Sequence, residues 1–64
     1  MNLIEDLQKE VARNRKVLKR YEKIPAGAFG AAMIRQGIVQ AEIAISSMDT
    51  VSMIKSLKEL RETE

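Results

Sequence analysis

The sequence predicts an all-α domain in which a long N-terminal amphipathic helix packs with a helical hairpin, two chains together forming a homodimeric bundle. Apolar residues recur at helical spacing along three segments of the 64-residue chain, and short turn-forming stretches separate these segments. Because 64 residues is the length of one small domain, we expect one domain over residues 1–64. A chain of this size without cysteine usually needs support beyond its own core, which favours self-association.

The first helix is predicted over residues 3–23. Asn2 is a favourable N-cap, and Glu5 three residues later completes a variant of the capping box. Pro25 ends the pattern, because a proline disfavours helix at the residue before it. The apolar residues of this segment share one arc of the helix surface: Leu3, Ile4, Leu7, Val11, Val17, Leu18, Tyr21 and Ile24.

A second helix is predicted over residues 28–46 and a third over residues 50–61. The first connection is Pro25-Ala26-Gly27, and the short Ser47-Met48-Asp49 turn should hold the second and third helices as an antiparallel hairpin. Asp49 is the expected N-cap of the third helix. The large apolar positions of the second helix are Phe29, Met33, Ile34, Ile38, Val39, Ile43 and Ile45. In the third helix Val51, Ile54, Leu57 and Leu60 should line one face, with Met53 beside them.

A heptad-like seam on the first helix is typical of a bundle or a coiled-coil pairing. Asn14 interrupts this seam, where it could fix register or oligomeric state; the alternative places Asn14 at an exposed end. Gly30 and Gly37, one heptad apart, suggest that another backbone comes close, the alternative being chance in an Ala-rich stretch. The residues predicted to support self-association are Leu7, Val11, Asn14, Leu18, Tyr21, Gly30 and Gly37.

The polar face of the first helix carries a basic stripe. Residues 1–24 hold seven basic and four acidic side chains, net +3, whereas residues 25–64 hold four and five, net −1. Three interpretations are open: a solvated helix face, which we favour, contacts with nucleic-acid phosphates, and contacts with an anionic membrane, which is the least favoured. The stripe consists of Arg13, Arg15, Lys16, Lys19, Arg20 and Lys23.

The composition argues against catalysis. The chain has no His, Cys or Trp, so we expect no catalytic residues, no cofactor and no metal site. Gly27-Ala28-Phe29-Gly30 precedes a helix, but it is not a P-loop, because no Gly-Lys-Ser/Thr follows it. It is also not a dinucleotide-binding fingerprint, because no strand precedes it. The acidic start differs from a signal peptide, and the uncharged stretch of residues 24–34 is too short to span a membrane. We therefore expect a soluble, cytoplasmic protein.

Two segments, Tyr21–Ile34 and Ser47–Ile54, resemble small uncharacterised helical proteins encoded in bacteriophage and prophage genomes. The resemblance implies a bacterial or phage origin and an accessory or regulatory role, and it carries no functional residue. Together with the residue patterns, it predicts a small non-enzymatic protein–protein interaction or assembly module. The partner is expected to be a second copy, with another protein as an option. The alternative is a nucleic-acid-binding regulator that uses the basic stripe.

Overall fold

The computed structural model describes residues 2–63 and contains three α-helices. Helix α1 spans Leu3–Glu22, α2 spans Ala28–Ser47 and α3 spans Thr50–Arg61, with a 3₁₀ turn at Pro25–Gly27 between α1 and α2. The predicted all-α class and the three helices are confirmed, and each predicted boundary lies within one residue of the observed one. The two terminal residues of the predicted domain lie outside the described range.

Side-chain caps begin α1 and α3 as the sequence predicts. The Glu5 backbone N–H donates to Asn2 Oδ1 at 3.1 Å, and the Ser52 N–H donates to Asp49 Oδ1 at 3.2 Å. The Ser52 backbone N–H and then its hydroxyl hold the pKa of the Asp49 carboxyl below its usual value. Each cap satisfies a backbone donor that the first helical turn leaves without a partner.

The C-terminus of α2 ends in a left-handed residue that is not glycine. Met48 has φ 58° and ψ 33°, and its N–H donates to the carbonyls of Ala44 and Ile45. The Asp49 N–H also donates to the Ala44 carbonyl, at 3.1 Å. This is the Schellman arrangement, in which glycine is the usual occupant of the left-handed position.

The helices form an up-down-up bundle measuring 36 × 18 × 16 Å. Ion pairs between Arg15 and Glu42 and between Glu22 and Arg35 show that α1 and α2 are antiparallel. Helix α3 follows α2 after only two residues and returns alongside it, since Gly37 of α2 approaches Leu60 near the end of α3. Helix α3 is therefore antiparallel to α2 and parallel to α1. The buried hydrophobic residues are Leu7, Val11, Val17, Ala31, Ile34, Ile38, Ala41, Ala44, Met53, Leu57 and Leu60.

The structure corrects the predicted face of α3. Val51 and Ile54 are exposed, whereas Met53, Leu57 and Leu60 face the core. The buried arc is centred on Met53, and Ser56 completes it at 6% exposure. Because α3 packs on both α1 and α2, its contacts with these two helices determine which arc of its surface is buried. Apolar spacing alone predicts an adjacent arc of α3 instead. None of the helices described over residues 2–63 is long and apolar enough to cross a membrane.

Candidate interaction surfaces

The predicted self-association seam of α1 lies within the core of the single chain. Leu7, Val11 and Asn14 are buried, while Leu18 and Tyr21 are partly buried and pack against the core cluster. These side chains therefore fill the space between α1 and its two neighbours in the same chain.

Asn14 and Arg13 bind the C-terminal end of α3. Asn14 is fully buried, and its Nδ2 donates to the Leu60 carbonyl at 3.2 Å and to the Glu10 carbonyl at 2.8 Å. Arg13 donates to the Leu60 carbonyl at 2.6 Å and to the Thr63 carbonyl at 2.9 Å. These donors satisfy carbonyls that the last helical turn leaves open, and the guanidinium charge suits the negative end of the helix dipole. The exposed-end alternative for Asn14 is therefore wrong.

The carbonyl oxygen of this buried amide has no hydrogen-bond partner among the described residues. Asn14 Oδ1 accepts no hydrogen bond. A buried acceptor without a donor costs about 1–3 kcal/mol. Asn14 thus joins the end of α3 to α1 through Nδ2, while its unpaired Oδ1 carries this desolvation cost.

The two helical glycines lie where side chains of the same chain come close. A Cβ at Gly30 would lie 2.7 Å from two ring atoms of Tyr21, and a Cβ at Gly37 would lie 3.3 Å from Leu60 Cδ2. Within the chain the nearest atoms are side-chain atoms, of α1 at Gly30 and of α3 at Gly37, so the predicted close approach of another backbone is not found there.

The structure divides the basic stripe into two groups. Arg13 is engaged at the end of α3, and Arg15 forms an ion pair with Glu42. The other four cations are exposed at spacing i, i+3, i+4 and i+7. None of them takes part in the ion pairs found among residues 2–63. We refer to these four as the basic cluster: Lys16, Lys19, Arg20 and Lys23.

A second exposed surface, the outer face of α2, is apolar and uncharged. At 100° per residue its members lie within an arc of about 120°. Four large side chains dominate it: Phe29 is 79% exposed, Met33 60%, Ile43 55% and Val39 46%. The outer face of α2 comprises Phe29, Ala32, Met33, Gln36, Val39, Gln40 and Ile43.

The outer face of α2 is bordered differently on its two sides. Along α1 the border is charged: Arg35 Nη2 lies 3.0 Å from Glu22 Oε2, and Glu42 pairs with Arg15. Along α3 the border is an open groove of about 540 Å³, with mixed polar and apolar walls. The groove is lined by Met33, Gln36, Gly37, Gln40, Ser52, Lys55, Ser56 and Glu59.

Neither the chemistry of the described residues nor a relative assigns an activity. Residues 2–63 hold no group of three or more His, Cys, Asp or Glu side chains that could bind a metal ion. Comparison of the sequence with protein-family models, curated proteins and solved structures finds no match. The surfaces of the bundle are therefore the basis for any functional proposal.

The outer face of α2 is the feature that the sequence patterns did not single out. Helical spacing groups Phe29, Met33, Val39 and Ile43 with the other apolar positions of this helix and does not separate an inner from an outer face. The signal was present, because apolar residues surround α2 on nearly all sides. A helix of that kind is normally covered on all sides.

Proposed function

We propose that the protein is a small non-enzymatic assembly module in which a second copy of the chain covers the outer face of α2. The supporting observation is the exposure of Phe29, Met33, Val39 and Ile43 along one face of α2 with no charged residue between them. A helix face with this many exposed large apolar side chains usually marks an interaction site. On the strength of the sequence resemblance, we assign the module to phage or prophage accessory proteins.

The total surface of the chain supports self-association. Its accessible area is 4631 Å². A compact monomer of 7.2 kDa is expected to expose about 4,100 Å², so the chain exposes about 500 Å² more. The chain thus leaves more surface for a partner to cover than a compact monomer of the same mass leaves.

Absolute mass in solution tests this proposal. We expect light scattering after size exclusion to give twice 7.2 kDa across a concentration series. Ile43→Lys should shift the chain to monomer, because it places a charge within the apolar contact. Ile54→Lys is the matched control, since Ile43 and Ile54 are both 55% exposed and Ile54 lies on α3.

Circular dichroism of both variants separates dissociation from unfolding. A wild-type chain that stays monomeric at every concentration overturns the proposal. So does dissociation by Ile54→Lys together with an unchanged mass for Ile43→Lys, because the contact would then lie on α3.

A second candidate function, binding of nucleic acid, is supported by the exposed basic cluster. Lys16, Lys19 and Lys23 have no acidic partner among the described residues, so their charges are available to phosphates. If all four cations contact duplex DNA, the slope of log affinity against log salt should be about −3.6. Lys19→Gln should make that slope less steep by about 0.9, the value for one phosphate contact. Lys55→Gln on α3 should leave the slope unchanged. No binding of a short duplex at low salt would dismiss this candidate.

A further inference from the structure

We infer that the second copy lies antiparallel on the outer face of α2, so that Arg35 of each chain faces Glu42 of the partner subunit. This inference rests on the proposed self-association and adds its geometry. In such a pair, a two-fold axis passes near residues 38 and 39. Each chain then contributes the same surface to the contact, as closed dimers require.

The charges on the border of α2 select this arrangement. Arg35 and Glu42 lie one heptad apart on the same side of the outer face. An antiparallel pair brings the same border of both helices together, so the two residues face each other twice. A parallel pair places this border against Met33 and Gln40, which are uncharged. Sliding the antiparallel pair by one heptad makes Arg35 face Arg35 or Glu42 face Glu42, which repels.

The apolar side chains fit the same register. With the ion pairs in place, Ile43 lies opposite Ala32 of the partner subunit, and Phe29 lies opposite Ser46 of the partner subunit. Large residues thus meet small ones, which lets two helices interdigitate without voids. Near the axis, Gln36 lies beside Val39 of the partner subunit.

Ion pairs already present in each chain extend this contact. Glu22 holds Arg35, and Arg15 holds Glu42, both between α1 and α2. Dimerisation joins the two pairs into a row of alternating charges that runs Glu22, Arg35, then Glu42 and Arg15 of the partner subunit. Isolated exposed pairs contribute little to stability, whereas a network holds its side chains in place and contributes more.

A charge-swap experiment tests the arrangement. Arg35→Glu and Glu42→Arg, each alone, should weaken the dimer roughly tenfold or more, because each places like charges opposite each other twice. Mixing the two variants should restore a one-to-one heterodimer, and the double variant should restore a homodimer. Glu22→Gln and Arg15→Gln are the controls, since each removes an ion pair within the chain and leaves the cross-pair intact. We expect these controls to remain dimeric.

Cysteine cross-linking gives an independent readout, because the chain contains no cysteine. An antiparallel dimer should cross-link when Phe29→Cys is mixed with Ser46→Cys. A parallel dimer should instead cross-link Phe29→Cys with itself. If the wild type is dimeric and Ile43→Lys dissociates it, but mixing fails to rescue the charge variants, the antiparallel arrangement is overturned and the proposed function stands. A monomeric wild type overturns both.

Discussion

The two helical glycines give opposite predictions for the same substitution. Alanine favours helix over glycine by up to about 1 kcal/mol in a helix interior, and by less in the first turn. Gly37 lies mid-helix and a methyl group there meets one terminal atom of Leu60 at 3.3 Å. A shift of a few tenths of an ångström accommodates that contact. Gly37→Ala should therefore stabilise the fold, by about 0.5 kcal/mol after this adjustment.

Gly30 lies in the first turn of α2, and a methyl group there meets two ring atoms of Tyr21 at 2.7 Å. The ring is rigid and packs against the core cluster, so the whole side chain must move. Overpacking of this kind costs about 1–3 kcal/mol, which exceeds the helix-propensity gain. Gly30→Ala should lower the free energy of unfolding by about 1–2 kcal/mol.

Thermal unfolding of the two variants at one chain concentration is the assay, because self-association makes the melting temperature depend on concentration. Their stabilities should differ by about 2 kcal/mol, which for a domain of this size is roughly 15 °C in melting temperature. In a Tyr21→Ala background, Gly30→Ala should lose its cost. Equal stabilisation by Gly30→Ala and Gly37→Ala, or an unchanged cost without the ring, would refute the reasoning.

Three further predictions concern the helix ends and the buried amide. Met48→Gly should raise stability by about 1 kcal/mol, since a left-handed conformation strains any residue with a Cβ; chemical denaturation measures it, and a loss of stability would contradict it. Asn14→Leu should raise the melting temperature, because leucine has a similar shape and no buried oxygen without a partner. A lower melting temperature would show that the hydrogen bonds from Asn14 to the Leu60 and Glu10 carbonyls contribute more than the unpaired Oδ1 costs. Asp49 has a lowered pKa in the folded chain, so it contributes stability above the ordinary value of 3.8, and this contribution is lost as the pH falls through the lower folded value. Asp49→Asn keeps a capping oxygen without the charge, and denaturation from neutral to acidic pH should show the wild type losing its advantage; a constant difference across that range would exclude the linkage.

Local signals in the sequence were sufficient to predict the helices and their ends. Asn2 and Asp49 cap α1 and α3 as expected, and Pro25 lies where the first connection begins. These signals act within a few residues, so a single sequence contains all the information they need. The all-α class follows from the same local patterns.

Contacts between distant residues were beyond that reasoning. Arg13 lies in a run of cations, yet its guanidinium binds carbonyls at the end of α3, 47 and 50 residues away. No spacing rule distinguishes it from Lys16, which is exposed. In the same way, periodicity placed Ile54 on the inner side of α3, whereas the packing of three helices turned it outward. The spacing of apolar residues shows which of them share one face of a helix, whereas the packing of the three helices determines whether that face is turned toward the core or toward solvent.

The composition of the outer faces explains why α2 is the helix expected to take a second copy. The outer face of α1 carries the basic cluster, and the outer side of α3 mixes exposed apolar residues with charges of both signs, namely Lys55, Lys58, Glu59, Arg61 and Glu62. Two copies meeting through α1 would bring like charges together, and two copies meeting through α3 would have to desolvate several charges. The outer face of α2 has apolar and amide side chains at its centre and one cation and one anion at its border. Burying it therefore removes apolar surface from water, while the border charges can pair with those of the other chain.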